Sequence, residues 1–368
     1  MINNKGENMI NLRKLGLTAL AGSLAAVSAQ AGEMAVTGSH ITTYTTGDAG
    51  VTEGTSSSNA LGSNTNISFT GSGELDNGWT VSTFVVLNDA NTGLSSSAAT
   101  MTMGSMGTIG VSKVGGFNVN GGFDETYPTA YEENSDAGGQ SSLNTVGAFA
   151  DDNAIIYKAP AIDLMGATVN IGIEHSLQAG SATGGDGGGL AQSDTYGTGT
   201  GLGVTVAYGG LTLGAYGAER ENKNPTQVSG VADEFNGSMF VNYNFGPVSV
   251  GYQETYVDTA LAKTAHSTTT AQSIGVSGGI FTGEAMSIAF NVNDNLSLSY
   301  SEVEDTYDTQ DNASTAVEDV VMKTESLQIA YSMGSMSVKA YSTETSNPNY
   351  DSDAPKQNVN EIALGLAF

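Results

Sequence analysis

The chain has no cysteine, 6 prolines and only 11 lysine and arginine residues among 368. Without cysteine there is no disulfide scaffold of the kind that small exported domains use in place of a large core. Beyond the first 31 residues no segment approaches the roughly 20 consecutive apolar residues that a membrane-spanning helix requires. Residence in a membrane would therefore have to be as a β-barrel. Scarcity of basic residues leaves a net charge of −27, which excludes nucleic acid as a partner, because binding it needs lysine and arginine to displace phosphate counterions. An acidic excess of this size keeps a protein solvated, attracts cations and repels anions.

What is present begins with a leader. Lys5, Arg13 and Lys14 precede an apolar stretch from Leu15 to Val27 that ends in Ala29-Gln30-Ala31. A basic start, an apolar run of about a dozen residues and a small-residue cleavage site mark a secretory signal peptide, too short to span a membrane. The expectation is a signal peptide over 1–31 and one β-barrel domain over 32–368, with Met9 equally placed as initiator. Arg220 is then the sole arginine of the mature chain.

Helix-period patterning is missing from the rest, and short runs alternate strictly between apolar and small polar residues. The clearest are Leu202–Tyr208, Met239–Phe245, Met286–Val292 and Leu327–Tyr331. Period two means strands. One face is aliphatic or aromatic, the other Gly, Ala, Ser, Thr, Asn or Gln, and charge is nearly absent from both. A soluble sandwich would turn its apolar face inward and charges outward, whereas an apolar face beside a small polar one suits a barrel wall between lipid and water.

Tight turns at Asp76-Asn77-Gly78, Gly209-Gly210, Gly246-Pro247, Asn293-Asp294-Asn295 and Gly334-Ser335 alternate with long acidic stretches near 177–200, 221–234, 257–270, 304–320 and 344–358. Outer-membrane barrels have this asymmetry of short periplasmic turns and long outer loops. The strand count is 16, running from 35–46 to 359–368 and including 153–162 and 167–176. The segment 272–292 is too long for one strand and contains Gly278-Gly279, which implies a bulge or a further hairpin there, and 18 strands is the rival count. Tyr208, Tyr243, Phe245 and Tyr331 lie near the tight turns, as an interfacial aromatic girdle would. Three histidines, His40, His175 and His266, stand without a G-x-S-x-G elbow or an H-E-x-x-H spacing, so catalytic roles cannot be assigned and no enzyme is expected.

The C-terminus, Glu361-Ile-Ala-Leu-Gly-Leu-Ala-Phe368, alternates Ile362, Leu364 and Leu366 with small residues and ends in an aromatic. Together with phrases such as Asn295-Leu-Ser-Leu-Ser-Tyr300 after a turn, it resembles the general porins of Gram-negative bacteria, in particular those of alphaproteobacteria. The resemblance covers the whole mature chain. It implies an all-β fold, a 16-stranded antiparallel transmembrane barrel with an inward-folded third loop. It also implies a homotrimer in outer-membrane lipid and passive diffusion of small hydrophilic solutes. Ile362, Leu364, Leu366 and Phe368 would be the signal read by the barrel-assembly machinery.

The third loop of the resemblance falls between about Val114 and Asp152, where a connection of nearly forty residues is normally functional. Its Asp124, Glu125, Glu132, Glu133 and Asp136 are the candidates for lining a pore constriction. General porins face this loop with an arginine cluster, and here the sequence departs from them. Strand parity points Lys158 and Lys339 inward as the available basic residues of the wall. Carboxylates without a strong basic wall predict a preference for cations. Passive diffusion needs no cofactor, although clustered acids suit a structural Ca²⁺; the run Gly184–Gly189 is a single untandemed copy of a glycine-rich Ca²⁺ repeat. Two other readings stand beside the general porin: a substrate-specific outer-membrane channel, and an exported acidic β-rich adhesin or surface protein.

Overall fold

The computed structural model describes residues 33–48, 60–89, 93–137, 141–150, 153–179, 196–223, 233–260, 269, 271–274, 278–308 and 318–368. The leader, the Gly184–Gly189 run and His266 lie outside them. The strands are β1 (Glu33–Asp48), β2 (Leu61–Glu74), β3 (Thr80–Asn88), β4 (Gly93–Thr102), β5 (Thr108–Val114), β6 (Ala154–Lys158), β7 (Ile162–Leu164), β8 (Ala167–Ser176), β9 (Tyr196–Tyr208), β10 (Leu211–Asn222), β11 (Glu234–Phe245), β12 (Val248–Asp258), β13 (Ile280–Asn293), β14 (Leu296–Asp308), β15 (Val320–Met333), β16 (Met336–Ser346) and β17 (Gln357–Ala367). β6 and β7 are two lengths of one strand. Both pair with β8, and between them the Ala159 N–H still donates to the Ile171 carbonyl at 2.9 Å. Pro160 has no N–H for the ladder and interrupts the strand expected over 153–162. The last strand returns to the first, with Ser39 opposite Ala367 and Thr45 opposite Glu361, so the sheet is a closed antiparallel barrel of 16 strands.

Local chemistry accounts for the short ends. Tyr208 pairs with Leu211, Phe245 with Val248 and Met333 with Met336, leaving two-residue turns that each open on a glycine. Gly209, Gly246 and Gly334 have φ of 57°, 62° and 61°, the left-handed first position of a type II′ hairpin that matches the strand twist. At the other end the strands run further than sequence patterning indicates. β14 continues to Asp308 and β16 to Ser346, through residues that read as loop. There the outward positions are Glu302, Glu304 and Glu344, and ladder pairing persists where water has replaced lipid. Among its described residues the segment 272–292 is neither one strand nor a hairpin: β13 begins at Ile280, after Gly279 at φ +127°, and the Gln272 N–H donates to the Asn349 carbonyl instead. That settles the count at 16 over 18.

The two faces invert the pattern of a water-soluble protein. On β15 Leu327, Ile329 and Tyr331 are exposed, with Leu327 at 61%, while Ser326, Gln328 and Ala330, which alternate with them, are buried. The same holds for Met239 and Val241 against Ser238 and Phe240 on β11. A continuous apolar exterior of this extent requires lipid. Buried residues gather inside the wall, in one cluster around Val119, Phe123, Phe149, Tyr216 and Phe240, another around Phe281, Tyr307 and Tyr350, and a third at Tyr127, Leu143, Ala285 and Val303.

Candidate functional site

Among its described residues the connection from β5 to β6, Gly115 to Asn153, contains four single turns of 3-10 helix and no strand. Its polar anchors are side chains on the face of the strands opposite the exposed apolar residues. Glu174 on β8, 0% exposed, accepts from the Val119 and Asn120 N–H groups and from the Tyr216 hydroxyl at 2.6 Å. Gln253 on β12 accepts from the Thr126 N–H and donates to the Phe123 carbonyl at 2.6 Å. Ser299 on β14 accepts from the Ala130 N–H at 2.8 Å. Gln328 on β15 accepts from the Tyr131 N–H at 2.8 Å and donates to the Glu132 carbonyl at 2.7 Å. The Tyr131 hydroxyl donates to Glu361 on β17 at 2.9 Å. On the way back, Asp305 on β14 accepts from the Ser142 N–H at 2.6 Å, from the Ser141 hydroxyl at 3.0 Å and from the Tyr350 hydroxyl at 2.7 Å. Asn236 on β11 accepts from the Gly147 N–H at 2.9 Å. The segment is thus tied to strands from β8 to β17.

Apolar contacts add to these ties. Phe123 lies 5.3 Å from Tyr216 and 5.8 Å from Phe240 between ring centroids. Gly203 on β9 leaves the space they need, since a Cβ added there would overlap both Phe123 and Val119. A buried aromatic contributes about 1.5–3 kcal/mol against roughly 1 kcal/mol net for a typical hydrogen bond. Each docked ring thus contributes about as much as two of the polar anchors, and the anchors fix the path.

The acidic residues singled out in this segment fare differently. Asp124, Glu132 and Glu133 are half-buried. Glu125 is 2% exposed, and it accepts from the Tyr127 hydroxyl at 2.7 Å and from both the N–H and hydroxyl of Ser135. It holds the segment's own shape, which leaves surface charge to the other three. Asp136 lies in the turn Asn134–Ala137, and its side chain is outside the described residues. Asp124, Glu125 and Glu133 each place a carboxylate oxygen within 4.8 Å of the others, a donor set of the hard-oxygen kind that Ca²⁺ takes. Burial, and then the charge of Glu125, pushes the Tyr127 hydroxyl pKa up; burial, and then Glu132, does the same at Tyr131. Both phenols stay protonated and remain donors.

Lys158 and Lys339 point away from their exposed neighbours Tyr157 and Val338. Lys158 Nζ stands 4.5 Å from the centroid of the Phe117 ring and Lys339 Nζ 4.8 Å from that of Tyr131. Arg220 lies 3.5 Å over Tyr196 and pairs with Glu234. Sequence reading missed Glu174, Gln253, Gln328 and Glu361, because each sits in an ordinary alternating strand and meets partners about 50 to 230 residues away, and Asp305, because it falls in a stretch that reads as loop. The only available signal was a carboxylate or amide where small residues prevail. His40 and His175 hydrogen-bond to threonines, Thr65 and Thr200, at 2.9 Å.

Ile362, Leu364 and Leu366 are exposed and stand opposite Tyr44, Thr42 and His40 of β1. Phe368, 64% exposed, exchanges two backbone hydrogen bonds with Gly38 and covers it where a Cβ would collide. These residues are the seam that closes the barrel.

Solved structures of similar fold are outer-membrane channels. Salmonella typhi OmpF in complex with daunomycin matches with a TM-score of 0.65 and 12% identity, over 94% of this chain and 100% of that one. OmpT of Vibrio cholerae with its loop L8 deleted matches at 0.61 and 13%, over 92% and 100%. A porin refined at 1.8 Å matches at 0.60 and 14%, over 91% and 100%. No curated protein sequence matches the chain. The family model for Gram-negative porins matches residues 16–316, and the chain belongs to that family.

Proposed function

We propose that this outer-membrane porin is a general diffusion channel for small hydrophilic solutes and ions that prefers cations. The carrying observation is the connection of residues 115–153, anchored on the inner face from β8 to β17, with Asp124, Glu132 and Glu133 half-exposed upon it. In this reading it is an inward-folded loop that narrows the lumen. The carboxylates line the constriction, and the inward cations have their charge spread over Phe117, Tyr131 and Tyr196. Solutes pass down their gradient with no energy source and no cofactor. The oxygens of Asp124, Glu125 and Glu133 would hold a structural Ca²⁺ if one is bound.

Residues 1–31 act as the export signal in this account, and the seam residues Ile362, Leu364, Leu366 and Phe368 as the strand that the assembly machinery reads. The working unit is a homotrimer, by analogy with Vibrio cholerae OmpT, solved in a trimer form at 13% identity. Swelling of proteoliposomes in neutral sugars of graded size tests the channel itself: rates should fall smoothly with solute size, and no swelling with folded protein would overturn it. The triple variant Asp124→Asn, Glu132→Gln, Glu133→Gln should swell vesicles as the parent does and lose most of the cation preference.

A further inference from the structure

The strand wall that the loop tip touches carries a carboxylate of its own. Glu361 is half-buried on β17 and shares a face with Ala363, opposite the exposed Ile362. Its two oxygens are held from either side. The Tyr131 hydroxyl donates to Oε1 at 2.9 Å, and the Thr45 hydroxyl on β1 donates to Oε2 at 2.8 Å. Glu361 therefore sits where the tip of the 115–153 connection meets the seam between β17 and β1.

The neighbouring stretch of wall, residues 37–45 on β1 and 64–68 on β2, carries no charge on this face, and Glu33 and Glu74 lie at its far end. Register and alternation put Thr37, Ser39, Thr43, Asn64, Asn66 and Ser68 on the same face as Thr45 and Glu361. All six are half-buried, in contrast to the fully buried side chains that the connection covers on β8 to β15. Open lumen thus borders β1 and β2. The nearby cation, Lys339 on β16, is directed onto the Tyr131 ring at 4.8 Å. Its charge is spent on the tip of the connection rather than presented by the wall.

We propose that Glu361 is a charge-selecting residue of the channel wall. The narrow passage then has carboxylates on the loop and at the loop's junction with the wall, and the hydroxyls and amides of β1 and β2 border the wall beyond. Carboxylates of like sign bordering one passage add their potentials within it, whereas an acidic loop facing a basic wall leaves a transverse field while the two potentials partly cancel. The solutes favoured are cations and uncharged polyhydroxylated molecules, and those disfavoured are anions. This inference rests on the cation-preferring reading above.

Reversal potentials under a KCl gradient in planar bilayers test it, using full-length protein checked for folding by heat-modifiable mobility. Glu361→Gln should lower the K⁺ over Cl⁻ permeability ratio by about twofold or more. Glu361→Asp, which keeps the charge but shortens the reach to Tyr131, should retain the parent's ratio, and so should Glu254→Gln on the outer face of β12. If Asp and Gln at position 361 lower the ratio equally, Glu361 is only a strut for Tyr131 and the proposal is overturned. An unchanged ratio in Glu361→Gln alongside a loss in the triple loop variant also overturns it, while leaving the channel reading intact. A parent channel that opens without cation preference overturns the reading beneath both. Should Glu361→Gln not fold, Thr43→Lys on the uncharged wall supplies the same test: the ratio must fall, and an unchanged one contradicts the proposal.

Discussion

Glu174 shows how one residue fixes the path of a long connection. Its carboxylate is fully buried and satisfies two backbone N–H groups at the start of the connection and the Tyr216 hydroxyl. Replacing it by alanine strands those donors, at about 1–3 kcal/mol for each buried group left without a partner. Glu174→Ala should therefore leave the barrel folded but expose the connection to limited proteolysis near Val119, readable by mass spectrometry of the fragments; equal protease resistance would contradict the anchoring role. Gly334 makes a different kind of demand. Nothing lies within 4 Å of where its Cβ would be, but its φ of +61° disfavours any side chain. Gly334→Val should cost roughly 1–3 kcal/mol through backbone strain alone, measured as a lower urea midpoint for unfolding from detergent, with conductance unchanged in the folded fraction.

At the level of elements, the alternation of Leu202–Tyr208 and Leu327–Tyr331 was enough to identify strands and to say which face meets lipid, because side-chain direction has a period of two. The ends of strands were harder to read. Past Tyr300 on β14 the outward residues are Glu302 and Glu304, so both faces are polar and the alternation fades although the ladder continues to Asp308. Lys323 on the same outer face lies 2.8 Å from Glu302 and 3.7 Å from Glu304, relieving carboxylates whose directly opposed partners are Glu325 and Glu284. The path of the 115–153 connection was hidden for another reason: its anchors Gln253 and Gln328 are brought to it only by barrel closure. The space for it was half visible in the alternating glycines at 199, 201 and 203. Gly203→Val would force Val119 and Phe123 away from β9. Such a variant should show a larger and noisier single-channel conductance, and a conductance equal to the parent's would contradict the docking against β9.

For the whole molecule, two asymmetries carry the account. One is radial, with an apolar exterior and a polar interior, and it was plain in composition and period. The other lies across the lumen, where acidic groups and covered cations meet an uncharged stretch of wall on β1 and β2. Charge counting alone pointed toward cations, but it did not reveal that Glu125 is consumed in holding the loop or that Glu361 joins the wall. Those facts belong to packing between segments far apart in sequence. The most direct measurement is single-channel recording of the detergent-extracted protein in planar bilayers under a KCl gradient. The account predicts large stepwise openings, grouped in threes, with a reversal potential displaced toward that of K⁺; folded protein that gives no openings, or openings that reverse toward Cl⁻, would contradict it.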